Sequence, residues 1–80
     1  MRLVQISPNF HRLIGKHNVF FSYETPIAYY DEIDEKFYVS ENIWSQTTGK
    51  HINKIKTEYA NDYVTVINED FVDRFLDYTS

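Results

Sequence analysis

The spacing of apolar residues changes after Ser40, and this change restricts the fold of the chain more than any other feature. Before it, Val19, Phe21 and Tyr23 alternate with other residues, as the side chains on one face of a β-strand do. After it, five side chains recur at the intervals of a helical face. They are Trp44, Thr48, Ile52, Ile55 and Tyr59. A block of strands followed by helices predicts an α+β domain.

The strands are predicted to form an antiparallel β-meander of about four to five strands. Segments that favour strands lie at 3–6, 10–14, 19–23, 27–30, 36–40 and 63–67. Segment 10–14 fits either a strand or a single helical turn. Thr25 and Pro26 are expected to interrupt the sheet, because proline has no N–H to donate to a neighbouring strand.

The first predicted helix packs on the sheet through Trp44, Ile52 and Ile55. Ser40 or Ser45 is expected to cap its N-terminus, since a serine hydroxyl accepts a hydrogen bond from a free backbone N–H there. Gly49, which lies within this stretch, destabilises a helix by about 1 kcal/mol relative to alanine. The segment therefore forms either one helix or two short helices with a break at the glycine.

A second helix, residues 69–78, is predicted with Asn68 as its N-cap. Its buried stripe is predicted to contain Phe71, Val72, Phe75 and Leu76. Both helices are predicted to pack on one face of the sheet.

Length and composition predict one small domain, residues 1–80. The absence of cysteine excludes disulfides and Cys-ligated zinc. The chain lacks a run of the ~18 apolar residues that a membrane helix needs, and its first residues do not resemble a signal peptide. We therefore expect a soluble, cytoplasmic protein that does not bind membranes.

Aromatic residues are unusually frequent, with six Phe, seven Tyr and one Trp among the 80 residues. Most of them are expected in the core, where a large side chain buries more area than a small one. A core this thin does not cover all fourteen, so we expect some at a contact surface. The commonest closed assembly, a symmetric homodimer, is the predicted outcome.

The chain carries none of the sequence motifs that identify common catalytic sites. Gly49 and Lys50 resemble the end of a phosphate-binding loop, but His51 stands where that loop needs serine or threonine. Neither a G-x-S-x-G motif nor an H-E-x-x-H motif is present. We therefore expect a protein that is not an enzyme and needs neither cofactor nor metal.

Charge alternates along the chain in four bands. Segments 1–23 and 42–56 each carry +3, and segments 24–41 and 57–80 each carry −5. Such banding predicts a polarised surface. Two candidate binding surfaces result. The first is an acidic row at helical spacing that would bind a partner protein: Glu69, Asp73 and Asp77. The alternative is a basic helix face that would contact nucleic acid: Lys50, His51 and Lys54.

Two motifs, S-Y-x-T-P-x-A and S-E-N-x-W-S-x-T-T-G-K-H-x-N, lie between Val19 and Asn53. In both, the chain resembles an uncharacterised family of short proteins from bacteriophages and mobile elements, a domain of unknown function. The resemblance implies the cytoplasm of a host cell and an accessory role. Such proteins commonly inhibit a host function or a defence system. We therefore expect a non-enzymatic protein that binds a host protein, and a nucleic-acid-binding accessory protein is the alternative.

Overall fold

The computed structural model describes residues 2–41 and 45–80, which form a sheet and two helices, so the predicted α+β class is confirmed. The strands are β1 (Arg2–Ser7), β2 (Phe10–Ile14), β3 (Asn18–Ser22), β4 (Thr25–Asp31), β5 (Lys36–Ser40) and β6 (Tyr63–Val66). The helices are α1 (Gln46–Lys54), which continues as a π-helical turn at Ile55–Tyr59, and α2 (Asn68–Thr79). Neither helix in this described part is long and apolar enough to cross a membrane.

The six described strands follow one another across the sheet in chain order. β1 to β5 form the predicted antiparallel meander, and the ambiguous segment 10–14 is a strand. β6 pairs with β5 in parallel, because the chain crosses over through α1 before it returns to the sheet. The sheet therefore has one strand more than the upper end of the prediction.

The two helices contact different faces of the sheet, whereas the sequence prediction placed both on one face. Neighbouring strand residues point to opposite faces, and accordingly Phe20 packs in one core and Val19 in another. The first core, which includes α1 residues, contains Phe10, Phe20, Ile27, Ala28, Val39, Ile52, Ile55 and Ala60. The second core, which includes α2, contains Val19, Tyr29, Tyr38, Val66 and Phe71. Consecutive apolar residues in the central strands cover both faces, a pattern typical of a sheet buried on both sides.

Pro26 lies inside β4, so the predicted interruption at this position is wrong. Pro26 pairs with Phe21, and the register shifts beside it. Ile27 is the extra residue of a β-bulge, which turns Ile27 and Ala28 toward the first core together. The chain bends earlier, at Tyr23, where φ is 57°.

Ser45 rather than Ser40 caps α1. The backbone N–H of Thr48 donates to Ser45 Oγ over 3.2 Å. The helix continues through Gly49 without a break, and the backbone N–H of Gly49 donates to the carbonyl oxygen of Ser45 over 3.0 Å. Of the two alternatives left open, one continuous helix is therefore the observed one.

The N-terminus of α2 differs from its prediction, because the residue before the helix is Ile67 and Asn68 is already helical. The backbone N–H of Asn68 donates to Glu41 Oε1 over 3.1 Å. A carboxylate from the end of β5 thus supplies the cap that Asn68 was expected to provide, and its negative charge lies at the positive end of the helix dipole.

The predicted core residues are placed as follows. Ile52, Ile55 and Phe71 are buried, and Phe75 is half-buried. Trp44 lies outside the described residues, so its role in packing stays a prediction.

Candidate functional site

The acidic row predicted on α2 lies on the exposed side of the helix. Glu69, Asp73 and Asp77 are all exposed, and their spacing of four residues aligns them along the helix. The last turn of α2 contains no basic residue. The charge of Asp77 therefore meets the negative end of the helix dipole without compensation.

Arg74, the cation of α2, does not neutralise this row. Its guanidinium carbon lies 5.1 Å from the ring centre of Tyr38, which is within cation–π distance. Within residues 2–41 and 45–80 no salt bridge joins it to Asp70, although the two are four residues apart. The row keeps its negative charge.

Exposed apolar side chains lie beside the acidic row. Val72 and Leu76 are 47% and 60% exposed. The prediction that Val72 and Leu76 belong to the buried stripe is wrong, because α2 turns Phe71 and Phe75 to the sheet instead. We call this side of the helix the α2 surface; it comprises Glu69, Val72, Asp73, Leu76 and Asp77.

A groove of about 150 Å³ lies beside the apolar part of the α2 surface. Pro26 at the start of β4 lines it together with Phe71 and Phe75, and Val72 and Leu76 form its outer edge. The groove adds apolar area to a helix face that is already partly apolar. Apolar area bordered by charge is the composition of a protein–protein interface, whose centre is apolar and whose rim is polar.

The predicted basic face of α1 is not a single surface. Lys50 is exposed, whereas His51 is only 7% exposed. Lys54 Nζ lies 3.8 Å from Glu58 Oε2, so a neighbouring carboxylate partly offsets its charge. The prediction that His51 contributes to a nucleic-acid face is wrong, because its imidazole faces the sheet.

His51 belongs instead to a buried polar cluster between α1 and β3. Its Nδ1 lies 2.7 Å from Ser22 Oγ, which in turn lies 2.9 Å from Thr48 Oγ1. The imidazole stacks on the ring of Phe10 with 4.6 Å between ring centres. Burial lowers the pKa of His51 below its usual value of 6.5, so the neutral imidazole is favoured. Sequence reasoning missed this cluster because Ser22 and His51 are far apart in the chain and form no motif.

The contact between Ser22 and His51 has the elements of a nucleophile and a base, but both residues are buried. Ser22 is 1% exposed, which leaves its side chain almost no contact with solvent. The cluster fixes the position of α1 on the sheet through hydrogen bonds that are satisfied within the protein. In the described part of the chain, no three His, Cys, Asp or Glu residues are grouped as metal ligands would be.

Comparison with known protein families gives a match over most of the chain. The model of a family described as a family of unknown function, DUF8033, matches residues 1–73. No curated protein matches the chain, and no solved structure does.

Proposed function

We propose that this chain, which belongs to the family of unknown function DUF8033, is a non-enzymatic protein that binds another protein through the α2 surface. The observation that carries the proposal is that α2 exposes apolar side chains directly beside an uncompensated acidic row. The partner it fits has a basic surface with an apolar residue at its centre.

Two energetic costs and one missing gain support a binding role for the α2 surface. Like charges four residues apart destabilise a helix by about 0.2–0.5 kcal/mol per pair, and Asp77 is unfavourable at the helix C-terminus. Exposed Val72 and Leu76 also gain nothing from burial in the isolated protein. A basic partner with an apolar anchor offsets all three at once.

The partner is proposed to be a host protein, and the effect on it to be inhibition of a host function or a defence system. This part of the proposal rests on the resemblance to short proteins of bacteriophages and mobile elements. The same resemblance supports the proposed setting, the cytoplasm of a host cell.

Nucleic acid remains the alternative partner, with Lys50 and Lys54 as its contacts. This alternative is weaker than the sequence suggested, because His51 is buried and Lys54 lies beside Glu58. A net charge of −4 also disfavours binding to a polyanion.

The decisive experiment compares two charge reversals in capture of a partner from host lysate. Glu69→Lys with Asp73→Lys should reduce capture of one defined protein at least tenfold, since attraction becomes repulsion. Lys50→Glu with Lys54→Glu is the matched control and should leave that capture unchanged. Both variants must keep the circular dichroism spectrum of the wild type. If only the lysine variant loses its partner, the nucleic-acid alternative replaces the proposal.

A homodimer is also proposed, from the surplus of aromatic residues. Light scattering after size exclusion should then give about twice the chain mass of 9.6 kDa. Leu76→Ser is the informative variant. If it converts the dimer to a monomer, the α2 surface binds a second copy of the chain, and the proposal of a host partner at this surface is wrong.

A further inference from the structure

A second concave feature lies at the C-terminal end of α2, away from the groove beside Pro26. This end pocket has a volume of about 410 Å³. Three segments form it: the β2–β3 turn with Lys16 and His17, the end of β4 with Asp31 and Glu32, and the last turn of α2 with Tyr78. Asp77 belongs both to this pocket and to the acidic row, so the pocket continues the α2 surface.

Aromatic rings held in fixed positions form its wall. Tyr29 and Tyr78 stack with 4.4 Å between ring centres, and the ring of His17 lies 4.8 Å from that of Tyr78. The backbone N–H of Asn18 donates to the Tyr78 hydroxyl over 2.8 Å. Tyr29 is 2% exposed, so the wall is anchored in the second core.

The charges around the end pocket favour a cation. The carboxylates of Asp31, Glu32 and Asp77 line it, against the cations of Lys16 and Arg74. No salt bridge in the described part of the chain joins these carboxylates to either cation.

The lining of the end pocket carries three carboxylates and two cations, a formal charge of −1. Arg74 lies over the ring of Tyr38, and Lys16 is exposed. Burial is the main reason that the pKa of Tyr78 is raised, and the nearby carboxylates of Glu32 and Asp31 raise it further. Burial raises the pKa of Tyr29 to about 12, and there Arg74 lowers the pKa more than Asp31 raises it, so the carboxylates outweigh the cations only on the Tyr78 side of the wall.

We propose that the end pocket is a guanidinium site, which receives an arginine side chain of the partner protein between the aromatic wall and the carboxylates. A guanidinium is planar, stacks on tyrosine rings and donates to carboxylates at the same time. The assignment of the arginine to the partner rests on the proposed function. The affinity of the end pocket for a guanidinium group does not depend on the proposed function.

The test uses blocked amino acids as probes and amide chemical shifts of the whole protein as the readout. Nα-acetyl-arginine methylamide should cause saturable shifts at Asn18, Glu32 and the last turn of α2. The citrulline analogue has nearly the same shape without the charge and should bind at least tenfold more weakly. The glutamate analogue should not bind. Equal binding of arginine and citrulline, or no saturable shift with arginine, would overturn the site.

Two variants with neutralised carboxylates test whether arginine binds in the end pocket. Glu32→Gln with Asp77→Asn should weaken arginine binding about three- to tenfold, as the loss of two exposed charge contacts implies. Glu24→Gln with Glu69→Gln removes the same charge from the same molecule outside the pocket, because Glu24 lies at the opposite end of β4 and Glu69 lies two turns of α2 away from Asp77. At about 0.15 M salt, where the Debye length is ~8 Å, it should leave arginine binding unchanged. Equal weakening by both variants would show a general charge effect and sink the pocket assignment.

The experiments distinguish failure of the guanidinium site from failure of the proposed function. Arginine binding without any effect of Glu69→Lys and Asp73→Lys on partner capture would remove the proposed function and leave the guanidinium site. Capture that depends on the acidic row, together with no arginine binding, would remove the site alone. Finally, Glu32→Gln should reduce partner capture, because Glu32 lies in the pocket and not in the row.

Discussion

The two faces of the sheet differ in how completely their helices cover them. On one face, α1 and its π-helical turn bury Ile52 and Ile55 and satisfy the polar groups of Ser22 and His51 internally. On the other face, α2 buries Phe71 but leaves Val72 and its neighbours exposed. A helix that serves stability alone places its apolar side chains inward. The α1 face is thus closed by its helix, whereas the α2 face leaves apolar side chains exposed, as the proposed binding role requires.

The largest expected difference between the faces comes from a matched pair of truncations. Ile55→Ala should destabilise the protein by about 2–5 kcal/mol, because it leaves a cavity in the first core. Leu76→Ala should change stability by less than about 0.5 kcal/mol, since the side chain is 60% exposed. Urea denaturation measures both. Similar losses in the two variants would remove the distinction between the faces.

Removal of the Ser22 hydroxyl should give the next largest effect. Ser22→Ala leaves His51 Nδ1 and Thr48 Oγ1 without their shared buried partner, which costs about 1–3 kcal/mol. The matched control is Ser7→Ala in β1, a half-buried serine outside this cluster. The midpoint of thermal unfolding should fall clearly only for Ser22→Ala. An unchanged midpoint would mean that the cluster does not hold α1 in place.

The cap of α2 should contribute less to stability than the Ser22 hydroxyl does. Glu41→Ala removes the carboxylate that accepts from the N–H of Asn68, and loss of such a cap costs about 1 kcal/mol. Glu41→Gln retains an acceptor oxygen without the charge and should lose less. Because the cap serves α2, partner capture should weaken together with stability in the alanine variant. A neutral result for Glu41→Ala would contradict the assignment of this cap.

Acidification should destabilise the protein through His51, which is buried on the α1 face. Burial lowers the pKa of His51, so the unfolded chain binds a proton at a higher pH than the folded protein. The contribution of His51 to stability is complete above about pH 6.5 and decreases as the pH falls through the folded-state pKa. His51→Asn should remove this decrease, whereas His11→Asn, at a histidine outside the cluster, should retain it. Denaturation at several pH values measures the difference, and an unchanged pH profile in His51→Asn would contradict it.

Local patterns were sufficient to predict most of the elements and the exposure of the acidic row. The α+β class, segments 10–14 and 36–40, and the exposure of Glu69, Asp73 and Asp77 all follow from periodicity along one stretch of chain. The capping role of Ser45 follows in the same way, because a cap and its helix are adjacent in sequence. Each of these features depends on residues that lie close together in the sequence.

The features that the sequence did not predict depend on residues that are distant in the chain. The placement of the helices on opposite faces depends on how the second core forms across β3, β4 and β5. The burial of His51 depends on Ser22, and the cap of α2 depends on Glu41. Periodicity predicted burial of Val72 because it reports how apolar a helix face is, not whether another element covers that face.

The parallel pairing of β6 with β5 has a consequence for the order in which the chain folds. Each strand of the meander pairs with its neighbour in sequence, so β1 to β5 form through local contacts that close quickly. β6 and α2 join only after the crossover through α1 is complete, and α2 packs chiefly on β5. We expect α2 to detach before the meander opens, with the least protected backbone amides in hydrogen exchange. A partner bound to α2 would slow that exchange and hold the last element of the fold in place.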